Sequence, residues 1–339
     1  MTVSTEQIAE CLQHALPGIF CGKFEVGEKF HGTINDVYRI RFGLQEYALR
    51  IRTREEFFAY EKNIIKDAVA GRLLTSMAAG GQGWETETAF DAIVNDTTAC
   101  LHGGPVTSPI SPQIVFYDHR RQIIPYLWTL QIWSSGSTPR IGETHFYAAA
   151  GASLAHLHSL KFDRFKTRLD SEWLEAESWT STFQEEIRER LAFLGIDFPH
   201  RNFELTMSGG KRFCLNHNDL QPLNIIIDDN GAASLIDWDN LQIAPPEFDL
   251  VKLKYWTGVV DGFLSQSEMD YRVFLESYLK HSGHAFDPEI FRFCELVWLL
   301  RVASFEKRRQ NGGEEIPKPF PPVQYYLTAI EQLIERTER

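Results

Sequence analysis

The chain has 339 residues, 43% of them hydrophobic and 24% charged, with a formal net charge of -12. That length buries a sizeable core as one large domain or two lobes. The acidic balance argues against nucleic acid or an anionic membrane surface as a partner and would attract a cationic small substrate.

Cys11, Cys21, Cys100, Cys214 and Cys294 are odd in number and scattered, with no C-x-x-C spacing. This points to reduced thiols in a cytoplasm rather than a disulfide framework or a zinc site. The N-terminus is polar and no apolar run reaches about 18 residues, so neither a signal peptide nor a spanning helix is expected.

Residues 4–16 open with Ser4-x-x-Gln7, a capping-box pattern, and carry Ile8, Leu12 and Ala15 at helical spacing. Pro17-Gly18 stops this helix. Three strands are expected at 23–30, 35–42 and 46–52, joined by His31-Gly32-Thr33-Ile34 and Gly43-Leu44-Gln45. Residues 54–78 read as one helix, with Glu61 in its middle. From 79 to 112, Gly80-Gly81-x-Gly83, Gly103-Gly104-Pro105 and Pro109-x-x-Pro112 are loop markers of an insertion or lid, with a short helix at 89–101. Strands at 113–118 and 122–133 follow, and Ser134-Ser135-Gly136-Ser137 marks the passage from a strand-rich lobe (1–133) to a helical one (134–339). Helices are expected at 143–160, 171–194, 247–260, 265–281 (capped by Ser265), 287–309 and 322–336. The order predicts an α+β fold of a small antiparallel-sheet lobe and a larger helical lobe with a β-hairpin inserted in it.

The hairpin is the stretch CLNHNDLQPLNIIIDDNGAASLIDWDN, residues 214–240. His217, Asp219 and Asn224 spell H-x-D-x-x-x-x-N; the run Ile225–Ile227 follows, then a turn at Asp229-Asn230-Gly231 and a second apolar run ending at Asp237. Such a hairpin would gather Asp219, Asn224 and Asp237 at one end. Phosphoryl transfer to a hydroxyl needs that set, a carboxylate for the hydroxyl proton and two oxygen ligands for magnesium.

In context these motifs resemble the aminoglycoside phosphotransferase and choline kinase family, the small-molecule branch of the protein-kinase-like fold, over most of residues 25–260. HNDLQPLN matches that family's catalytic loop, and IDWDN its metal-binding segment, where D-[FW]-[DE] replaces the D-F-G of protein kinases. The resemblance implies an ATP- and magnesium-dependent (Mg2+) phosphotransferase acting on a hydroxyl of a small polar, cationic or neutral acceptor. Asp219 becomes the catalytic base, Asn224 and Asp237 the metal ligands, His217 a loop brace and Asp239 a supporting acid or a surface turn residue. The loop of Gly32, Thr33 and Ile34 would cap the phosphates, and Arg50 would stand for the phosphate-gripping Lys, with Arg52 as its competitor. Glu61 would pair with Arg50, Glu55 and Glu56 being alternatives, and the adenine would sit near Gln131 and Trp133. In APPEFDLVKL the family has P-x-x-D-L, so Asp249 is expected to brace the catalytic loop.

His156 and His158, two apart on a helix, point to different faces and do not form a shared metal site. A pseudokinase scaffold is the rival, and it is disfavoured because all three polar positions of the hairpin are intact. A protein kinase is disfavoured by the missing glycine triplet and by D-W-D in place of D-F-G.

Overall fold

The computed structural model describes residues 3–32, 34–54, 65–78, 87–97, 110–196, 212–313 and 320–337. The chain divides into two compact units. One comprises Met1–Gly136, Arg168–Asp170 and Ser234–Asn240; the other comprises Ser137–Thr167, Ser171–Ala233 and Leu241–Arg339.

In the first unit, helix α1 (Thr5–Ala15) starts at a reciprocal cap: the Gln7 N–H donates to Ser4 Oγ at 3.2 Å and the Ser4 N–H to Gln7 Oε1 at 3.0 Å. Strands β1 (Glu25–His31), β2 (Asp36–Phe42) and β3 (Gln45–Ile51) lead to α2 (Lys66–Ala78) and α3 (Glu87–Thr97). Strands β4 (Ile114–Asp118) and β5 (Trp128–Ile132) complete an antiparallel sheet in the order β1-β2-β3-β5-β4. The two-residue period sends Tyr38, Ile40, Leu49, Ile51 and Leu130 into one core with Ile8 and Leu12 of α1. Val37, Ala48, Arg50, Thr129 and Gln131 therefore share the opposite face, in the registers Val37–Arg50–Thr129 and Ala48–Gln131.

Two expectations change here. The helix anticipated over 54–78 is helical from Lys66, with Arg54 and Ile65 outside it; residues 55–64 lie outside the described residues. The strand anticipated over 122–133 is confined to Trp128–Ile132. Pro125, which has no N–H for a ladder, sits in the bends before it.

The second unit opens with α4 (Thr144–Leu157), β6 (Lys161–Phe162), α5 (Trp179–Leu194) and β7 (Phe213–Asn216). The hairpin strands β8 (Ile225–Ile227) and β9 (Ala233–Leu235) are present, Ser234 and Leu235 being counted with the first unit. Asp228 organises their turn: its Oδ1 accepts from the N–H groups of Asn230 at 2.9 Å and Ala232 at 2.8 Å, and Gly231 takes φ +80°. Then come β10 (Gln242–Ala244), which pairs with β7, and α6 (Glu247–Tyr255). The helix anticipated to 260 stops there, because β11 (Gly258–Val260) and β12 (Phe263–Ser265) form a hairpin. Its loop, Asp261-Gly262, holds φ +50° and +79°, the left-handed pair a two-residue hairpin requires.

Helix α7 (Glu268–Ser282) is capped by Ser267, whose Oγ accepts from the Asp270 N–H at 3.3 Å, and not by Ser265. It packs on α4 at Gly151, where a Cβ would lie 2.4 Å from the Phe274 carbonyl oxygen. Helix α8 (Pro288–Asn311) is buried along most of its length, and α9 (Val323–Thr337) packs on it. No described helix is long and apolar enough to cross a membrane.

Candidate active site

The first unit builds a buried cluster around Arg50. From β3 its guanidinium donates to Asp67 on α2, to Asp237 Oδ1 at 2.6 Å and to Asp239 Oδ2 at 3.3 Å. Arg52, one strand period on, donates to Asp239 Oδ1 at 3.2 Å, and the Asn35 amide also donates to Asp239. Arg50 and Arg52 thus both reach the site, as strand alternation predicts. Around them lies a cavity of about 10 Å³, lined by Asn35, Arg50, Arg52, Asp67, Thr129 and Asp239 among others, with room for one water.

The three acids differ. The Asp67 and Asp239 side chains are 6% and 4% exposed, whereas that of Asp237 is 41% exposed. Burial acts to raise the Asp239 carboxyl, but Arg50 and Arg52 override it and hold the group down at about 2. Asp67 is pushed up by its burial, against the attraction of Arg50. Burial works against the Arg50 charge, yet Asp67, Asp237 and Asp239 raise its pKa further. Asp237 also holds φ +65°, a left-handed conformation that Asp tolerates better than most residues.

The second unit holds the catalytic-loop motif. Asp249 on α6 grips the loop backbone, accepting from the His217 N–H at 2.7 Å and the Asn218 N–H at 2.5 Å. His158 supports Asp249 from α4, with Nε2 at 3.1 Å from the carboxylate and Nδ1 at 2.9 Å from the Tyr278 hydroxyl. Asn218 takes φ +57°, which turns the chain toward Asp219. The Asp219 N–H donates to Nδ1 of the fully buried His217 at 3.2 Å. The Asn224 amide nitrogen donates to the Asp219 carbonyl at 2.9 Å, which fixes the side chain and leaves its oxygen for another partner. The Asp219 carboxylate, 15% exposed, pairs with Lys252, one helical turn past Asp249.

The remaining anticipated residues are placed as follows. The Gly32 N–H donates to the Asn35 carbonyl at 2.9 Å, so it is engaged within the turn rather than presented to a phosphate. A Cβ on Gly32 would lie 2.9 Å from that same oxygen, so the tight turn requires glycine. Ile34 accepts from the Arg54 N–H at 3.3 Å. Gln131 is buried within β5, and the Trp133 N–H donates to the Glu46 carbonyl at 3.0 Å, so that group serves the sheet rather than an adenine. Thr33, Glu55, Glu56 and Glu61 lie outside the described residues. The described acid on α2 that meets Arg50 is Asp67.

Asp67, Asn35 and Lys252 were not anticipated. Asp67 carried one signal, an acid set among Ile64, Ile65, Ala68 and Val69 on the apolar side of a helix. Lys252 had none beyond its spacing of three from Asp249.

Among the described residues, no three His, Cys, Asp or Glu side chains gather as a metal cage. The half-buried Asp237 carboxylate in the first unit and the Asn224 amide oxygen in the second are each a hard oxygen donor of the kind magnesium takes. That ion takes few protein ligands and fills its shell with waters and phosphate oxygens.

A sheet unit with a strand-borne arginine bound to acids, and a helical unit with a braced H-x-D-x-x-x-x-N loop, define the two-lobed fold of small-molecule kinases. The model of the phosphotransferase enzyme family (APH) matches residues 30–284, and the chain belongs to that family. A choline kinase from Cryptosporidium parvum Iowa II is similar at 13% identity and TM-score 0.57, over 99% of this chain and 96% of that one. Spectinomycin phosphotransferase APH(9)-Ia, in complex with ADP and spectinomycin, is similar at 10% identity and TM-score 0.55, over 99% and 98%. A choline kinase from Streptococcus pneumoniae is similar at 13% identity and TM-score 0.55, over 96% and 98%. These identities establish the fold alone. No curated protein sequence matches the chain.

Proposed function

We propose that this phosphotransferase moves the γ-phosphoryl group of ATP, with magnesium, to a hydroxyl of a small polar acceptor, within a range that runs from aminoglycoside-like to choline-like compounds and that the surroundings of Asp219 narrow. The observation that carries this reading is the braced loop that fixes Asp219 beside Asn224, in a chain whose Arg50 already binds three carboxylates.

In this reading the Asp219 carboxylate orients the acceptor hydroxyl and takes its proton as the phosphoryl group departs. Asn224 and Asp237 hold magnesium, which when bound neutralises charge on the phosphates. Arg50 exchanges its Asp237 partner for a phosphate oxygen, its planar fork suiting that contact. Asp239 keeps Arg50 and Arg52 in place and stays off the metal. Similarity to a structure that holds ADP supports nucleotide binding. The free thiols of Cys11, Cys21, Cys214 and Cys294 fit a cytoplasmic setting.

The test of the metal assignment is Asp237→Ala. Magnesium should raise the affinity of the wild-type protein for ATP and leave that of the variant unchanged, as read by thermal shift over an ATP series. An equal magnesium effect in both proteins would remove Asp237 from the metal site. A pseudokinase scaffold would show the magnesium-dependent shift without any ADP release.

A further inference from the structure

Lys252 stands against the proposed base and has no role in the phosphoryl transfer described so far. It lies on α6 three residues after Asp249, so one helix face both clamps the loop backbone and meets the Asp219 carboxylate. Its side chain is 16% exposed, and its Nζ lies 5.7 Å from the centroid of the Trp256 ring. An ammonium carries three N–H donors. Asp219 takes one, the Trp256 ring offers an electron-rich surface, and no further hydrogen-bond acceptor for Nζ is found among the described residues. A largely buried ammonium with unmatched donors is costly unless something else accepts from them.

We propose that Lys252 is an acceptor-positioning and specificity-determining residue, donating to an acceptor oxygen next to the reacting hydroxyl while paired with Asp219. The substrate class is then a vicinal diol or a hydroxy acid. A quaternary or primary amine one or two carbons from the hydroxyl is rejected, because its cation would meet the Lys252 cation. Amines elsewhere on a larger acceptor are unaffected. This rests on the kinase reading, with Asp219 as base.

The geometry constrains the details. The hydroxyl proton passes to the Asp219 carboxylate as the acceptor oxygen bonds to the γ-phosphorus and the bond from that phosphorus to the β,γ-bridging oxygen breaks, ADP leaving with the electron pair. Lys254, two residues on from Lys252, turns to Glu295 and does not share the positioning role.

The experiment measures ADP release by the full chain with ATP, magnesium and four probes: myo-inositol, glycerate, choline and ethanolamine. The better of the first two should exceed both amines in kcat/KM by about tenfold or more, the size of one lost charge-assisted contact. Lys252→Met should raise KM for that preferred probe by about tenfold while KM for ATP stays unchanged, and Lys252→Arg should restore most of the loss. An unchanged acceptor KM in Lys252→Met overturns the assignment, as does an equal rise in KM for ATP or a wild-type preference for choline. If the wild-type protein transfers phosphate to none of the probes, the assignment of substrate class falls. If Asp219→Ala also matches the wild type in residual ATP hydrolysis, the kinase reading falls with it.

Discussion

Asp219→Ala is expected to lower phosphoryl transfer by about 10³-fold while leaving ATP binding and the fold in place. The size follows from what a positioned general base contributes, and the selectivity follows from the local geometry. The carboxylate touches Lys252, whereas the loop is held by other groups: Asp249 on the His217 and Asn218 N–H groups, and Asn224 on the Asp219 carbonyl. All of these survive truncation at Cβ. The kcat from coupled ADP release, the KM for ATP and the circular dichroism spectrum together check the expectation. Turnover within about tenfold of wild type would mean that the base lies elsewhere.

Asp239→Ala is expected to act on stability instead. Asp239 is a buried carboxylate shared by Arg50, Arg52 and Asn35, so its removal leaves two buried guanidinium groups short of a partner. Breaking a buried charge network from one side costs about 3–5 kcal/mol, which urea unfolding at neutral pH would register. The loss should depend on pH with a definite sign. The folded-state pKa of about 2 lies below the ordinary aspartate value of 3.8, so the stabilisation is complete above the unfolded value and disappears as pH falls toward 2. The gap between wild type and variant should therefore be widest near neutrality and narrow below about pH 4. A gap that is constant with pH would mean that Asp239 acts by packing rather than by charge.

Much of this architecture was legible in the residues, and the parts that were not share a cause. The period-two runs of β1 to β3 located the sheet, and alternation placed Arg50 and Arg52 on one face. H-x-D-x-x-x-x-N, followed by the isoleucine run and the Asp228–Gly231 turn, located the braced loop and the hairpin. Local patterns of this kind depend on neighbours in sequence. The Arg50–Asp67 pair depends on where a helix begins relative to a strand, and a residue window carries no such distance. Asn35 and Asp239 are 204 residues apart and meet only through the fold. Asp239, which its neighbours in sequence left open between a supporting acid and a surface turn residue, anchors two arginines. The Asp261-Gly262 hairpin is the instructive miss, since the Asp-Gly dipeptide is a turn signal and the helical reading of 247–260 ran over the strand that leads into it.

The central claim is that this chain transfers phosphate from ATP to a small-molecule hydroxyl through Asp219. The most direct measurement is phosphorus NMR of the purified protein with ATP, magnesium and a mixed set of hydroxylated sugars, hydroxy acids and amino alcohols, run beside Asp219→Ala. A new phosphate-monoester resonance should grow in step with ADP in the wild-type sample and be absent from the variant. ADP accompanied only by inorganic phosphate at equal rates in both samples, or a monoester formed equally well by the variant, would contradict it.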